Sequence, residues 1–522
     1  MPLTGRPLEA PVHIPRLLRA GLGQAPDDMA LVSTATHCTW RDLDRASDNL
    51  AGNLLGMGLS PGDRVASLMP NRTALIIHYI ACMKSGLVGV PLNYRYTVSE
   101  IDRALEVSEA SVLLAHGERE RELAGSPLAR ELPRGLIFYE AEKERGPRFS
   151  DLIATVPAKN ELPIPGASDP AFIFFTSGST GPAKGVTHSQ ETIGWMFATT
   201  SAALDFTPSD VILPGGSISH LGSFILAFGA LGAGARVVIP HTFESQHILG
   251  LLREQRPTML WMQPATLFPL VRDPGAMRKD FSSLRLCRSA SDKVPAELAR
   301  EFTELTGMVI NEGLGMTEVG IVTTNPPAGV VKVGSIGRAA PGVRLSIRDE
   351  GGQELPAGAE GRLWISAPGL TVGYWKDPAA TAEVMRDGWL DSGDLMKADD
   401  EGYLTFCGRK KQLIVHDGSN ISPQEVEDAL LQHAAVMIAG VVGVRDLVHG
   451  ENVRAYVTLR PGVAVPTERE LIHFARARVG YKAPEEVEFL AEMPLNAGKV
   501  DRAALKRLAV ARDGAEGPAS SR

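Results

Sequence analysis

From about residue 30 to 320, short apolar runs alternate with stretches of helical periodicity. Arg64 to Met69 reads as a strand, Ala74 to Met83 as a helix, and Leu87 to Pro91 as a strand again. Thr97 and Glu100 have capping-box spacing, in which each side chain satisfies a free amide at a helix start. The strand signal returns at Ile173–Thr176, Val211–Leu213, Arg236–Ile239, Thr258–Trp261 and Arg285–Cys287. Such alternation predicts α/β architecture with largely parallel sheets. From about 330 to 405 the pattern changes to short strands broken by Gly and Pro, with Leu345–Arg348, Arg362–Ser366 and Gly402–Phe406 fitting a small β subdomain. After Arg409 a compact α+β module follows. Ser422, Pro423 and Glu425 open a helix with the serine as cap, Val436–Val442 and Arg454–Leu459 read as strands, and Thr467 with Glu470 caps another helix. The tail from about Arg512 to Arg522 is small and polar and reads as disordered.

A length of 522 residues fits several structural units, and 44% hydrophobic residues are enough for a sizeable core. The formal net charge of −8 argues against a broad nucleic-acid surface, which needs clustered positive charge, but allows a local phosphate site. Cys38, Cys82, Cys287 and Cys407 lie far apart without CxxC spacing, so buried, reduced thiols in a cytoplasmic protein are expected. Met1 to Arg16 lacks the apolar core of a signal peptide. The least charged stretch, Val211 to Ala235, is broken by Pro214, His220 and six glycines, and reads as a loop plus a buried helix rather than a transmembrane segment.

The most informative segment is Thr176-Ser177-Gly178-Ser179-Thr180-Gly181-Pro182-Ala183-Lys184-Gly185, which leaves a predicted strand and precedes a predicted helix. Hydroxyls, exposed amides and a lysine can together wrap a polyphosphate, and glycine lets the backbone come close. The ending Ala183-Lys184-Gly185 does not satisfy the Walker A pattern.

This string resembles the phosphate-binding signature of adenylate-forming enzymes, the superfamily that includes acyl-CoA synthetases and peptide-synthetase adenylation domains. Four further segments resemble that family in the same order: Gly373-Tyr374-Trp375-Lys376-Asp377-Pro378, Asp387 to Asp394, Gly408-Arg409-Lys410-Lys411 and Pro494 to Arg502. The resemblance covers about residues 20 to 510. It implies an N-terminal adenylation domain over 1–408, a hinge over 409–411, a small mobile C-terminal lid over 412–511, and a tail over 512–522. The implied reaction is ligation of a carboxylic acid, fatty or aromatic, to coenzyme A, using ATP and Mg²⁺ through an acyl-AMP intermediate. A carrier-protein thiol is the alternative acceptor, and a nucleotide-binding protein without turnover is a third reading.

The resemblance also implies residue roles. Lys499 would bridge the acid carboxylate and the α-phosphate, neutralising two anions as they approach. Glu318 would hold Mg²⁺, which prefers hard oxygen ligands, and Thr317 would contact phosphate. Thr176 to Gly181 and Lys184 would cradle the phosphates. Asp394 would accept hydrogen bonds from the ribose hydroxyls, with Arg409 nearby. Ser289, Ala290, Ser291, Gly313 and Leu314 would line the adenine. Lys411 would act as the pivot, and Asp417 and Gly418 would face the thiol. His220, Phe224, Trp261 and Gly315 are candidates for the acid pocket, with ordinary core packing as the alternative for His220, Phe224 and Trp261.

The sequence departs from the family pattern at three places. Leu314 stands where an aromatic residue usually stacks on adenine, a contact worth roughly 1–3 kcal/mol per base in nucleic-acid binders. Ala290-Ser291-Asp292-Lys293 replaces a Gly-Gly-Ala-Pro-like segment, and Asp417 replaces a common small residue.

Overall fold

The structure, a computed structural model, describes all residues except 1–2, 35, 142–145, 159–160, 177–183, 291–293, 410–411, 417–418, 447–449, 497–498 and 516–522. The chain divides into two compact units. The first comprises Met1–Ser291, Phe302–Leu345 and Ile365–Leu390; the second comprises Asp292–Glu301, Ser346–Trp364 and Asp391–Arg522.

The first unit holds two seven-stranded sheets. In one, the strands run in the order Gly373–Tyr374, Lys184–Ser189, Pro170–Thr176, Val88–Pro91, Arg64–Leu68, Val112–His116, Leu136–Tyr139. In the other, the order is Asn311–Glu312, Leu286–Ser289, Met259–Met262, Val211–Gly215, Arg236–Val238, Met29–Val32, His37–Thr39. Five consecutive pairings of this second sheet are parallel, as the alternation of strand and helix patterns predicts.

The helix Thr73–Ser85, read from the sequence as a helix over Ala74–Met83, is buried at every position, with Lys84 paired to Asp44 and Asp48. It ends at Gly86, whose φ of +72° places it in the left-handed region that glycine adopts without strain. Tyr79 of this helix meets Phe224 and Phe228 of the buried helix Leu221–Gly232, as well as Phe172 of the Pro170–Thr176 strand. These rings tie strands and helices of the first unit into one core.

Two local expectations are corrected here. Cys82 and Cys287 are buried, but Cys38 and Cys407 are only half-buried. The next described element after Thr176 is not a helix but the strand Lys184–Ser189, and the helix starts only at Gln190. Thr176 and Lys184 face each other as the last pair of an antiparallel hairpin. The β-branched Val186 and Thr187 explain the strand; both are buried on the pleated surface.

The second unit contains the antiparallel pairing of residues 394–398 with Leu404–Arg409, in which Asp394 lies opposite Arg409. It also contains a five-stranded sheet in which Glu486–Phe489 lies parallel to Gly450–Leu459. Val426, Leu430, Val441, Val453, Leu471 and Val487 form the core of this α+β module. Both predicted capping boxes are present, with the Thr97 and Thr467 amides donating to Glu100 at 2.8 Å and Glu470 at 2.7 Å. Ser422 occupies the cap position of Pro423–Leu431, but its hydroxyl makes no bond to the helix; the proline at the first turn and the backbone carbonyl of Ser422 fix that start instead. The last helix, Arg502–Ala515, runs a few residues into the segment whose composition reads as a disordered tail. None of the described helices is long and apolar enough to cross a membrane.

Candidate active site

Parallel α/β sheets bind ligands beyond the carboxyl ends of their strands, and the register of the second sheet shows which residues reach that edge. Gly215, Met262, Ser289 and Glu312 lie in one row across four strands. The residues that follow, Gly216, Gln263, Ala290 and Gly313, therefore leave the sheet side by side. Ser289 is held by its hydroxyl, which donates to the Met262 carbonyl at 2.8 Å.

Gly313 is a close-approach glycine. A Cβ there would lie 2.2 Å from Arg288 Nη2 and 2.4 Å from the Thr323 carbonyl oxygen. Arg288 is almost wholly buried and donates to Asn311 Oδ1 at 3.0 Å, Thr324 Oγ1 at 2.8 Å and the Thr323 carbonyl at 3.1 Å. Burial draws its guanidinium down to about 10. The Leu314 amide donates to Thr323 Oγ1 at 2.9 Å and its carbonyl accepts from the Val322 amide at 2.9 Å, so Leu314 is fixed on both sides. Gly315 is exposed and pairs with Ile321 in a two-stranded ribbon.

Thr317 and Glu318 follow directly. His188 is fully buried and held neutral, its pKa drawn down to about 4 by desolvation. Its Nε2–H donates to the Thr317 carbonyl at 2.8 Å. The Thr371 amide donates to the Glu318 carbonyl at 2.7 Å, and Thr371 Oγ1 donates to the Thr187 carbonyl at 2.6 Å. Tyr374 donates its hydroxyl to Glu318 Oε1 at 3.0 Å, while Lys184 Nζ lies 4.9 Å from the centre of the Tyr374 ring. Burial, together with the Glu318 charge, raises the Tyr374 phenol above its ordinary range. Three segments far apart in sequence thus meet in one chain of contacts, Lys184 to Tyr374 to Glu318. Ser177, Gly178, Ser179, Thr180 and Gly181 lie outside the described residues, as do Ser291, Lys411, Asp417 and Gly418.

Around the candidate acid pocket, His220 immediately precedes the Leu221–Gly232 helix. Trp261 is 5% exposed, and its indole lies against Gly216 and Gly222. A Cβ at Gly216 would come within 2.4 Å of that ring. Asn71 clamps the same loop, donating to the Gly216 carbonyl at 2.9 Å and accepting from the Ile218 amide at 2.9 Å. Phe224 is fully buried, with Phe228, Phe172 and Phe174 ring centres 4.5, 4.8 and 5.1 Å away, the core packing that was its alternative reading.

Within the second unit, Asp394 is fully buried. Its Oδ1 accepts from Arg409 Nε at 2.7 Å, and its Oδ2 has no partner among the described residues. Burial raises its pKa; the Arg409 guanidinium and, more weakly, the Lys499 ammonium oppose the rise. Lys499 sits on a two-stranded hairpin, opposite Asn496.

Sequence reasoning did not assign Tyr374, His188, Asn71 or Arg288. Tyr374 lay inside a quoted segment, so its motif was the available signal. The other three are recognisable only by what they touch.

Asp394 and the Lys499 hairpin belong to the segments whose sequence resembles adenylate-forming enzymes. Family-model matches agree: AMP-binding enzyme over residues 18–375 and AMP-binding enzyme C-terminal domain over 425–499. A feruloyl-CoA synthase from Amycolatopsis sp is 32% identical over 491 residues, covering 92% of this chain and 96% of the relative. A fatty acid–[acyl-carrier-protein] ligase, ScoC, from Streptomyces coeruleorubidus is 32% identical over 495 residues, covering 92% and 93%. The crystal structure of ATP-bound MatB from Rhodopseudomonas palustris superposes with a TM-score of 0.88 at 29% identity, covering 95% of this chain and 99% of that one. The chain belongs to the AMP-binding enzyme family. It is an AMP-forming acid–thiol ligase that works with ATP, Mg²⁺ and coenzyme A.

Proposed function

We propose that the acid is hydrophobic, fatty or aromatic, and that the residues assembled above carry both half-reactions. The observation that carries the residue assignment is Asp394, a fully buried carboxylate with one oxygen paired to Arg409 and the other without a partner among the described residues. A buried acceptor left open is costly unless a ligand fills it, and vicinal ribose hydroxyls suit it. Leu314 supplies an apolar edge for the base in place of an aromatic face.

Thr176 and Lys184 close the ends of the phosphate loop, and Lys184 contributes positive charge beside Tyr374. Glu318, an anionic oxygen donor oriented by Tyr374, fits a hard cation. When bound, Mg²⁺ neutralises phosphate charge. Lys499 follows the negative charge that develops as the carboxylate oxygen attacks the α-phosphorus and pyrophosphate departs. The thiol sulfur then attacks the acyl carbon and AMP departs with the electron pair of the mixed anhydride. Residues 409–411 serve as the hinge about which the 412–511 lid presents Lys499 for adenylation and withdraws it for the thiol step.

The preference for an apolar acid rests on Trp261, whose indole is bordered by Gly216 and Gly222, and on the apolar helix Leu221–Gly232. A screen of pyrophosphate release across fatty, benzoic, phenylpropenoic and amino acids tests the reading. Release above background with an aliphatic or aromatic acid and none with amino acids is expected; release confined to amino acids overturns it. The likeness to ScoC favours a second reading, in which the acceptor thiol belongs to a carrier protein. Comparing free coenzyme A with a phosphopantetheinyl carrier separates the two.

A further inference from the structure

Lys499 stands on a short hairpin, and the geometry points to what holds that hairpin still. Val500 and Leu505, on either side of the turn into the last helix, press on Gly440: a Cβ there would lie 2.7 Å from Val500 Cγ1 and 2.6 Å from Leu505 Cδ1. The Asp501 amide donates to the Pro494 carbonyl at 2.9 Å, closing the hairpin base, and Asp501 Oδ1 accepts from the Ala504 amide at 2.9 Å. Arg502 comes next, and its Nη2 reaches Glu427 Oε1 at 2.7 Å and Oε2 at 2.6 Å. Glu427 is 3% exposed and lies on the helix Pro423–Leu431. Its Oε1 also accepts from the Val441 amide at 2.7 Å, on the same strand as Gly440.

One buried carboxylate therefore joins three elements: its own helix, the edge strand Val436–Asp446 and the start of the final helix. Burial of a carboxylate costs several kcal/mol, and its partners only roughly offset that. A buried pair of this kind is a poor source of stability. It is a good source of register, because any slip or rotation of the final helix strips the charge of its partner. Lys499 lies three residues before Arg502, too few to absorb a shift of the helix start.

We infer that Glu427 is a positioning residue for the adenylation step, acting through Arg502 to fix Lys499. This rests on the reading of Lys499 given above. It adds a demand that the lysine alone does not make: the ammonium must sit within a fraction of an ångström of its working place, and Glu427 sets that place.

The test uses Glu427→Gln, which keeps an acceptor for Val441 but removes the charge opposite Arg502, and Arg502→Lys, which keeps a charge with shorter reach. Three quantities are followed: acid-dependent pyrophosphate–ATP exchange, thioester formation from supplied acyl adenylate, and Tm. Glu427→Gln should lower the exchange kcat about 10- to 100-fold, the scale of a misplaced catalytic group. KM for ATP and the thioester rate should stay within about twofold, well below the tenfold that 1.4 kcal/mol represents. Arg502→Lys should fall between Glu427→Gln and the parent. In a Lys499→Ala background, Glu427→Gln should cause no further loss of exchange. Equal losses in both half-reactions, or a full additional loss in that background, overturn the inference. If Lys499→Ala abolishes exchange while Glu427→Gln and Arg502→Lys leave it intact, the inference alone fails. If Lys499→Ala itself retains exchange, the role of Lys499 fails first and takes the inference with it.

Discussion

The Tyr374 hydroxyl donates to Glu318 Oε1 across a 3.0 Å gap, joining two segments 56 residues apart. The bond orients the carboxylate proposed to face Mg²⁺, and the tyrosine is itself held by the Tyr374–Val186 backbone pairing. Tyr374→Phe keeps the ring beside Lys184 and removes only the hydroxyl. A hydrogen bond to a charged group contributes about 1.5–3 kcal/mol, and less where water can substitute. The apparent affinity for Mg²⁺ in pyrophosphate–ATP exchange should therefore weaken roughly 3- to 30-fold. An unchanged Mg²⁺ titration counts against the pairing.

Lys499→Ala should depress adenylation far more than the thiol step. Removal of one preorganised stabilising donor costs about 10²- to 10³-fold in comparable cases. Exchange should fall on that scale, while thioester formation from supplied acyl adenylate should change little. Matching losses in the two assays contradict the assigned role.

The strands and the site were unequally legible in the sequence. The Val211–Gly215 and Met259–Met262 strands announce themselves because a parallel strand buried on both faces is a short apolar run. Lys184–Ser189 does not, because Lys184, Gly185 and His188 interrupt the apolar signal. His188 is tolerated in the core because its Nε2–H donates a hydrogen bond to the Thr317 carbonyl. The position of Asp394 opposite Arg409 was contained in two motifs, but their pairing depends on a strand register that no spacing rule supplies. The same holds for Arg288: its three acceptors come from two distant segments.

Arg409→Met should make ATP binding more sensitive to acid. Burial already raises the Asp394 pKa, and Arg409 is the main group opposing that rise, with Lys499 the lesser one. Without the guanidinium the carboxylate protonates at a higher pH and no longer accepts two hydroxyl donors. A plot of log KM for ATP against pH should bend at higher pH in the variant than in the parent. Stability shifts in the matching direction. A group whose folded pKa is raised contributes stability that is complete below its unfolded pKa and is lost as pH rises through the folded one. The variant should therefore lose Tm with rising pH over a range displaced upward; a bend at the parental pH refutes the coupling.

Gly313→Ala should be costly despite the small change. The new Cβ meets the Arg288 guanidinium and the Thr323 carbonyl, both well inside contact distance. Arg288 is anchored by three acceptors and cannot swing aside without leaving them unpaired. Overpacking of this kind costs about 1–3 kcal/mol. Tm should drop by several degrees, and KM for ATP should rise because Leu314 is displaced with it. A variant with parental Tm and KM shows that Gly313 has more room beside Arg288 and Thr323 than the geometry allows.

His78 and His188 set an acid limit on stability. Both are buried, and desolvation lowers each from 6.5 to about 4. Above about pH 6.5 both states of the chain hold these rings neutral, so neither contributes a pH dependence. Between the two values the unfolded chain binds protons that the folded chain does not, so stability falls as pH falls. Each ring supplies a slope of up to about 1.4 kcal/mol per pH unit, and the loss levels off below about pH 4. His188→Gln retains a donor for the Thr317 carbonyl and removes the titration. Its Tm should therefore decline less steeply than the parent's between pH 6.5 and 4.5, with little difference at pH 8. Parallel Tm curves across that range, at equal starting stability, would mean that His188 titrates normally in the folded protein.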